Sequence, residues 1–155
     1  MRQFLKYNKM KFKSLFAFLA LAATVVSCGK KEASVSEKLV GNWTGTNNIE
    51  ITITDSTGNT VIQEISAPID FEYLADSTFT ALITINESIT FKFGGIAEVT
   101  DSLVKFTGTY TANSIMDMTG DLVYNEDKTV AISYRAHNPE GNVIISGKAA
   151  VNPKQ

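Results

Sequence analysis

The sequence predicts an all-β domain, an eight-stranded antiparallel up-and-down barrel that follows a cleaved signal peptide. Three observations carry this. From Leu39 onward apolar and polar residues alternate with period two in eight successive runs, and no stretch has the helical period. Short segments rich in Asp, Asn, Ser and Gly separate the runs. A basic and then apolar leader precedes them all. Length agrees, since 155 residues with 44% hydrophobic and 19% charged content make one ordinary globular domain.

The leader occupies residues 1–27. It carries Arg2, Lys6, Lys9, Lys11 and Lys13 and no acid, followed by the apolar run LFAFLALAATVV. Twelve residues rise about 18 Å as a helix, short of the ~30 Å hydrocarbon core, so the segment reads as a signal peptide and not a span. Met10 offers a more compact start. The rest of the chain holds nine Lys and Arg against sixteen Asp and Glu. That excess of acid argues against nucleic acid or an anionic membrane surface as partner. Residues 28–38 are polar and aperiodic and read as a tether.

The barrel is expected over residues 39–152. Its first strand opens with Leu39-Val40-Gly41-Asn42-Trp43 and continues to Ile49, Ile51 and Ile53 against Glu50, Thr52 and Thr54. Residues 55–59 turn, with Gly58 free to take positive φ. The second strand reaches from Val61 to Tyr73, with Pro68 marking an edge or a bulge. The third carries Phe79, Ala81, Ile83 and Ile85. The fourth carries Ile89, Phe91 and Phe93, bends at Gly94-Gly95 and ends at Val99. Val104, Phe106, Gly108 and Tyr110 define the fifth; Met116, Met118, Gly120, Leu122 and Tyr124 the sixth. Val130, Ile132 and Tyr134 define the seventh, and Val143, Ile145, Gly147, Ala149 and Val151 the eighth. Threonine dominates the other parity, as a solvated sheet face wants. Closing eight strands with loops this short removes both edges and covers the apolar face, whereas a Greek-key sandwich needs long crossings.

Val25-Val26-Ser27-Cys28 resembles the lipobox of bacterial lipoproteins. The resemblance implies cleavage before Cys28, a diacyl group on its sulfur and a further chain on its new amine. Several acyl chains, each methylene contributing ~0.8 kcal/mol, hold a protein to a membrane permanently. A plain secretory signal is the other reading, but the chain's one Cys falls at the end of the apolar run. Gly29 stands where an inner-membrane retention Asp would, which implies an outer-membrane lipoprotein, periplasm-facing or at the cell surface. Bacteroidetes-like lipoproteins carry an acidic export tag after the Cys; here Glu32 alone is acidic, and the face stays open.

Gly41-Asn42-Trp43 at the head of the first strand, Asp76-Ser-Thr-Phe79 and Gly108-Thr-Tyr110 resemble the lipocalin-like group of small barrels. The resemblance covers the domain from Leu39 to Val151. It implies that Trp43 plugs the closed end beneath a cation from a late strand, Arg135 or Lys148. The Thr-Asp-Tyr motif and the C-terminal helix of lipocalins are absent. One Trp is too few for a biotin pocket, and there is no room for the helical pair of fatty-acid-binding barrels.

With apolar positions inward, the lumen holds Phe71, Tyr73, Phe79, Phe91, Phe93, Phe106, Tyr110, Tyr124 and Tyr134, with Ala81, Gly108, Gly120, Gly147 and Ala149 among them. Two readings stay open. The small residues leave room and the aromatics line a cavity for a small hydrophobic ligand. Alternatively the rings fill the interior, and the protein meets a partner of unknown identity through its outer surface. Catalysis finds no support: His137 sits in a turn, no nucleophile or phosphate motif occurs, and Asp70 and Glu72 lie on the solvated face. No cofactor and no metal are expected, and the residues 55–59 and 125–127 read as turns before calcium loops. Asp55-Ser56, Asp76-Ser77 and Asp101-Ser102 resemble a short O-glycosylation signal of Bacteroidetes envelope proteins, and Asp-Ser is also ordinary turn chemistry.

Overall fold

The computed structural model describes residues 32–100, 103–112 and 114–155. Cys28 and the whole leader lie outside them. Eight antiparallel strands follow one another around a closed barrel: β1 (Gly41–Thr54), β2 (Thr60–Tyr73), β3 (Thr78–Thr84), β4 (Thr90–Thr100), β5 (Leu103–Thr111), β6 (Ile115–Tyr124), β7 (Val130–His137) and β8 (Val143–Pro153). Each strand pairs with its sequence neighbour, and β8 returns to β1 from Trp43↔Pro153 to Ile53↔Val143. The expected fold class is the observed one.

Parity explains the closure. Odd residues of β1, β2, β3 and β8 and even residues of β6 and β7 are the buried ones. The outward parity is rich in Thr, Asp, Glu and Lys. A barrel that spans a bilayer would place an apolar band there instead.

Three hairpins use one design. Asp55, Leu74 and Asn125 each open a loop in which a left-handed residue, Gly58, Ser77 or Lys128, precedes the returning strand (φ 87°, 65° and 66°). In each loop an Asp, namely Asp55, Asp76 or Asp127, accepts from the N–H and Oγ1 of the Thr two residues on. The threonine hydroxyl is the first cause that lowers each Asp below its ordinary pKa, and Asp55, which also accepts from Asn59, falls to about 2.

The expected tether holds a short helix, α1 (Val35–Leu39). Ser34 and Glu37 close a capping box: Ser34 Oγ accepts from the Glu37 N–H at 3.3 Å, and Glu37 Oε2 accepts from the Ser34 N–H at 2.7 Å. The helix delivers Leu39, fully buried, to the first-strand end of the barrel.

Candidate functional site

The barrel interior is the natural place to look, because seven of the nine aromatics expected there meet or approach one another along the lumen. Phe79 is the hub of the lower half, with ring centroids 5.9 Å from Phe71, 6.2 Å from Phe93 and 4.8 Å from Phe106. Phe93 leads upward to Tyr134 at 4.8 Å and Tyr110 at 6.1 Å, and Tyr110 leads on to Phe91 at 5.8 Å. Each such pair contributes about 0.5–1.5 kcal/mol beyond the area it buries. Phe91 is half-buried, and the other six are buried.

The two remaining aromatics sit elsewhere. Tyr73 is buried at the α1 end, its hydroxyl 3.4 Å from Ser36 Oγ. Half-buried Tyr124 meets Trp43 edge-on at 6.3 Å and 84°. They lie near α1, beside Ser36 and Trp43, and apart from the other seven.

The glycines decide what the interior contains. A Cβ built on Gly120 would collide with the Phe106 ring, and one on Gly147 with the Tyr134 ring. At Gly147 a ring occupies the space, and at Gly120 the Phe106 ring and the Ser133 carbonyl both do. Two hollows are open to solvent and are lined mostly by outward-facing residues, with the inward-parity Ile49, Ile65, Tyr134 and Gly147 also on the larger one. One of about 820 Å³ spans β2, β1, β8 and β7, with Asn48, Glu50, Glu64 and Lys148 on its walls, and one of about 500 Å³ spans β5 to β7 around Lys105, Asp121 and Arg135.

Arg135 corrects the expectation of a cation over Trp43. It is exposed, because on β7 the odd positions face solvent and the inward neighbours are Tyr134 and Ala136. Lys148 shares the outward parity on β8. Trp43 is buried, and its Nε1–H donates to the Leu39 carbonyl at the end of α1 at 2.8 Å.

The lumen also contains a polar group that the aromatic reading missed. Asn47, 0% exposed, donates from Nδ2 to the Tyr134 hydroxyl at 2.7 Å. Its Oδ1 and the Tyr110 hydroxyl have no hydrogen-bond partner of good geometry. Burial first, and then the neighbouring Tyr134, pushes the Tyr110 phenol well above its ordinary range. Burial likewise pushes Tyr134 up to about 12, against the opposing hydrogen bond from Asn47. The signal for Asn47 was present, since extending the Ile49, Ile51, Ile53 parity backward places Asn47 inward.

No protein-family model matches the chain, and no curated protein matches it. Among solved structures, the vaccine antigen transferrin binding protein B from Haemophilus parasuis Hp5, crystallised as a tryptophan-to-alanine mutant, is similar with a TM-score of 0.48 and 9% identity. The match covers 77% of this chain and 28% of that one.

Proposed function

We propose that this chain is a lipid-anchored, non-enzymatic barrel of the bacterial cell envelope that acts through its outer surface. The observation that supports this reading is the filled interior: Phe106 and Tyr134 lie against Gly120 and Gly147 where a ligand cavity would need vacancy. An eight-stranded barrel is just wide enough for side chains to fill it, and this one uses rings to do so. Attachment rests on the Val25-Val26-Ser27-Cys28 motif, with Cys28 carrying the lipid, and Gly29 favours the outer membrane.

One observation favours a second reading. The orphan Asn47 Oδ1 and Tyr110 hydroxyl are what a small polar ligand entering the upper lumen would satisfy.

Native mass spectrometry of the full chain, extracted in detergent from the cells that make it, separates the two. A native mass equal to the denatured mass, both including the acyl chains, supports the solid barrel. A discrete non-covalent molecule of a few hundred daltons refutes it and supports the second. Cys28→Ser tests the anchor in the same preparation: loss of the acyl mass and release from the membrane fraction are expected, and a Cys28→Ser protein that stays with the membrane would refute lipidation there.

A further inference from the structure

One stretch of the barrel wall has a side without a neighbour. β2 is 14 residues long, but β3 pairs with it only from Ile69↔Ile83 to Tyr73↔Phe79. Residues 60–67 therefore have β1 on one side and, among the described residues, no strand on the other. Hydrogen-bond parity identifies the groups left over. Leu74 donates its N–H to Thr78, toward β3, while Thr54 donates to Asn142, away from β2. The β1–β2 register runs without a bulge from Gly41↔Tyr73 to Thr54↔Thr60. In an antiparallel ladder alternate residues bond to opposite sides, so the even-numbered residues of β2 face the β3 side throughout. The N–H and C=O groups of Thr60, Ile62, Glu64 and Ser66 thus point at an open edge. Pro68, which has no N–H, stands where coverage by β3 ends.

Such edges are ordinarily kept short, kinked, or guarded by lysine or proline. Residues 60–67 contain no lysine, no proline and one charge, Glu64, while Val61 and Ile62 are 66% and 61% exposed. The charge pattern selects the occupant. Glu64 stands directly opposite Glu50 on the outer face, a like-charge pair with Lys148 on the same hollow but no ion pair to either carboxylate among the described residues. A second copy of this acidic domain would add a further Glu64 to the edge. A basic segment would relieve the pair.

We infer that residues 60–67 of β2 receive an extended segment of a partner protein as an added strand, in which aliphatic and basic residues alternate. Its backbone completes the four open N–H and C=O pairs, its Lys or Arg meets Glu64 and Glu50, and its aliphatic side chains cover Val61 and Ile65. This rests on the reading of the barrel as a surface-acting module, and it names the surface and the partner's chemistry.

The test follows amide signals of the full chain in detergent while a ten-residue peptide of alternating valine and lysine is added, with a valine–glutamate peptide as control. The lysine peptide is expected to shift and protect the amides of Ile62, Glu64 and Ser66. Ile62→Pro, which removes an N–H that no ladder uses, is expected to weaken binding by about tenfold or more. Glu64→Lys, which leaves the backbone alone, is expected to invert the preference between the peptides. No binding of the lysine peptide, equal binding of both peptides, or full binding to Ile62→Pro overturns the inference. Protection of the same amides by raising protein concentration alone assigns the edge to a second copy and also overturns it. A ligand in the native mass spectrum would instead sink the solid-barrel reading while leaving the edge result intact, so the two failures are distinguishable.

Discussion

Gly147 separates a hollow lumen from a filled one by the sign of a single substitution. In an ordinary strand, alanine for glycine gains about 0.5–1 kcal/mol by restricting the unfolded chain. Here the new methyl meets the Tyr134 ring, itself held by Phe93 and Tyr110, so Gly147→Ala is expected to cost about 1–3 kcal/mol in urea unfolding. A stabilised Gly147→Ala would mean that the ring has somewhere to go. Tyr134 supports a second comparison. Tyr134→Phe strips Asn47 of its hydrogen bond and leaves a buried amide with no partner, for an expected loss of about 1–3 kcal/mol. Asn47→Leu combined with Tyr134→Phe removes the stranded amide and leaves the Tyr110 hydroxyl as it is in the parent, so its stability should return to the parent's or exceed it. Both tyrosines also set an alkaline limit. Their folded pKa values lie above the ~10 of a free phenol, so the folded state binds more protons than the unfolded one above that pH. The stability they contribute is complete below pH ~10; the Tyr134 part is lost as the pH rises through about 12, and the Tyr110 part at still higher pH. Unfolding free energy measured against pH should therefore fall over that window in the parent and fall less in Tyr134→Phe.

At the scale of elements, the hairpin loops were legible because their chemistry is local. Asp-x-Thr at residues 55–57, 76–78 and 127–129 announces the turn, and the structure adds which residue is left-handed. Gly58 takes that conformation freely, whereas Lys128 takes it at a cost of about 1–2 kcal/mol. Lys128→Gly is therefore expected to raise the thermal midpoint by a few degrees, net of the entropy glycine returns to the unfolded chain, and Gly58→Ala to lower it. A lower midpoint for Lys128→Gly would show that the lysine side chain contributes more than its backbone costs. Helix α1 was missed, since residues 28–38 read as a tether. Five residues are too few to show a period, but Ser34-Val-Ser-Glu37 is a capping-box signature ahead of a residue that becomes fully buried. Trp43 is buried, but its hydrogen bond to the Leu39 carbonyl was not readable, because a backbone acceptor leaves no mark in a sequence pattern.

Across the whole molecule, alternation and loop length were enough for closure, since most apolar positions needed an inside and most loops were short. Register was not readable. It determines both that rings stand over Gly120 and Gly147 and that β2 continues past β3, and each depends on pairs of residues far apart in the chain. Pro68 was the one local hint of the second, marking an edge as its missing N–H requires. Among the described residues the wall is open along residues 60–67, and hydrogen exchange should draw that seam at single-residue resolution. Amides of Val61, Gln63 and Ile65 bond to β1 and should exchange slowly. Those of Ile62, Glu64 and Ser66 face the open edge and should exchange near the rate of an unprotected chain, giving a strict alternation along one strand. Amides along β6 and β7, paired on both sides over the aromatic core, should show no such alternation. Uniform protection along residues 60–67 of the isolated protein would mean that something already occupies the edge, and uniform fast exchange that the β1–β2 hairpin opens as a unit.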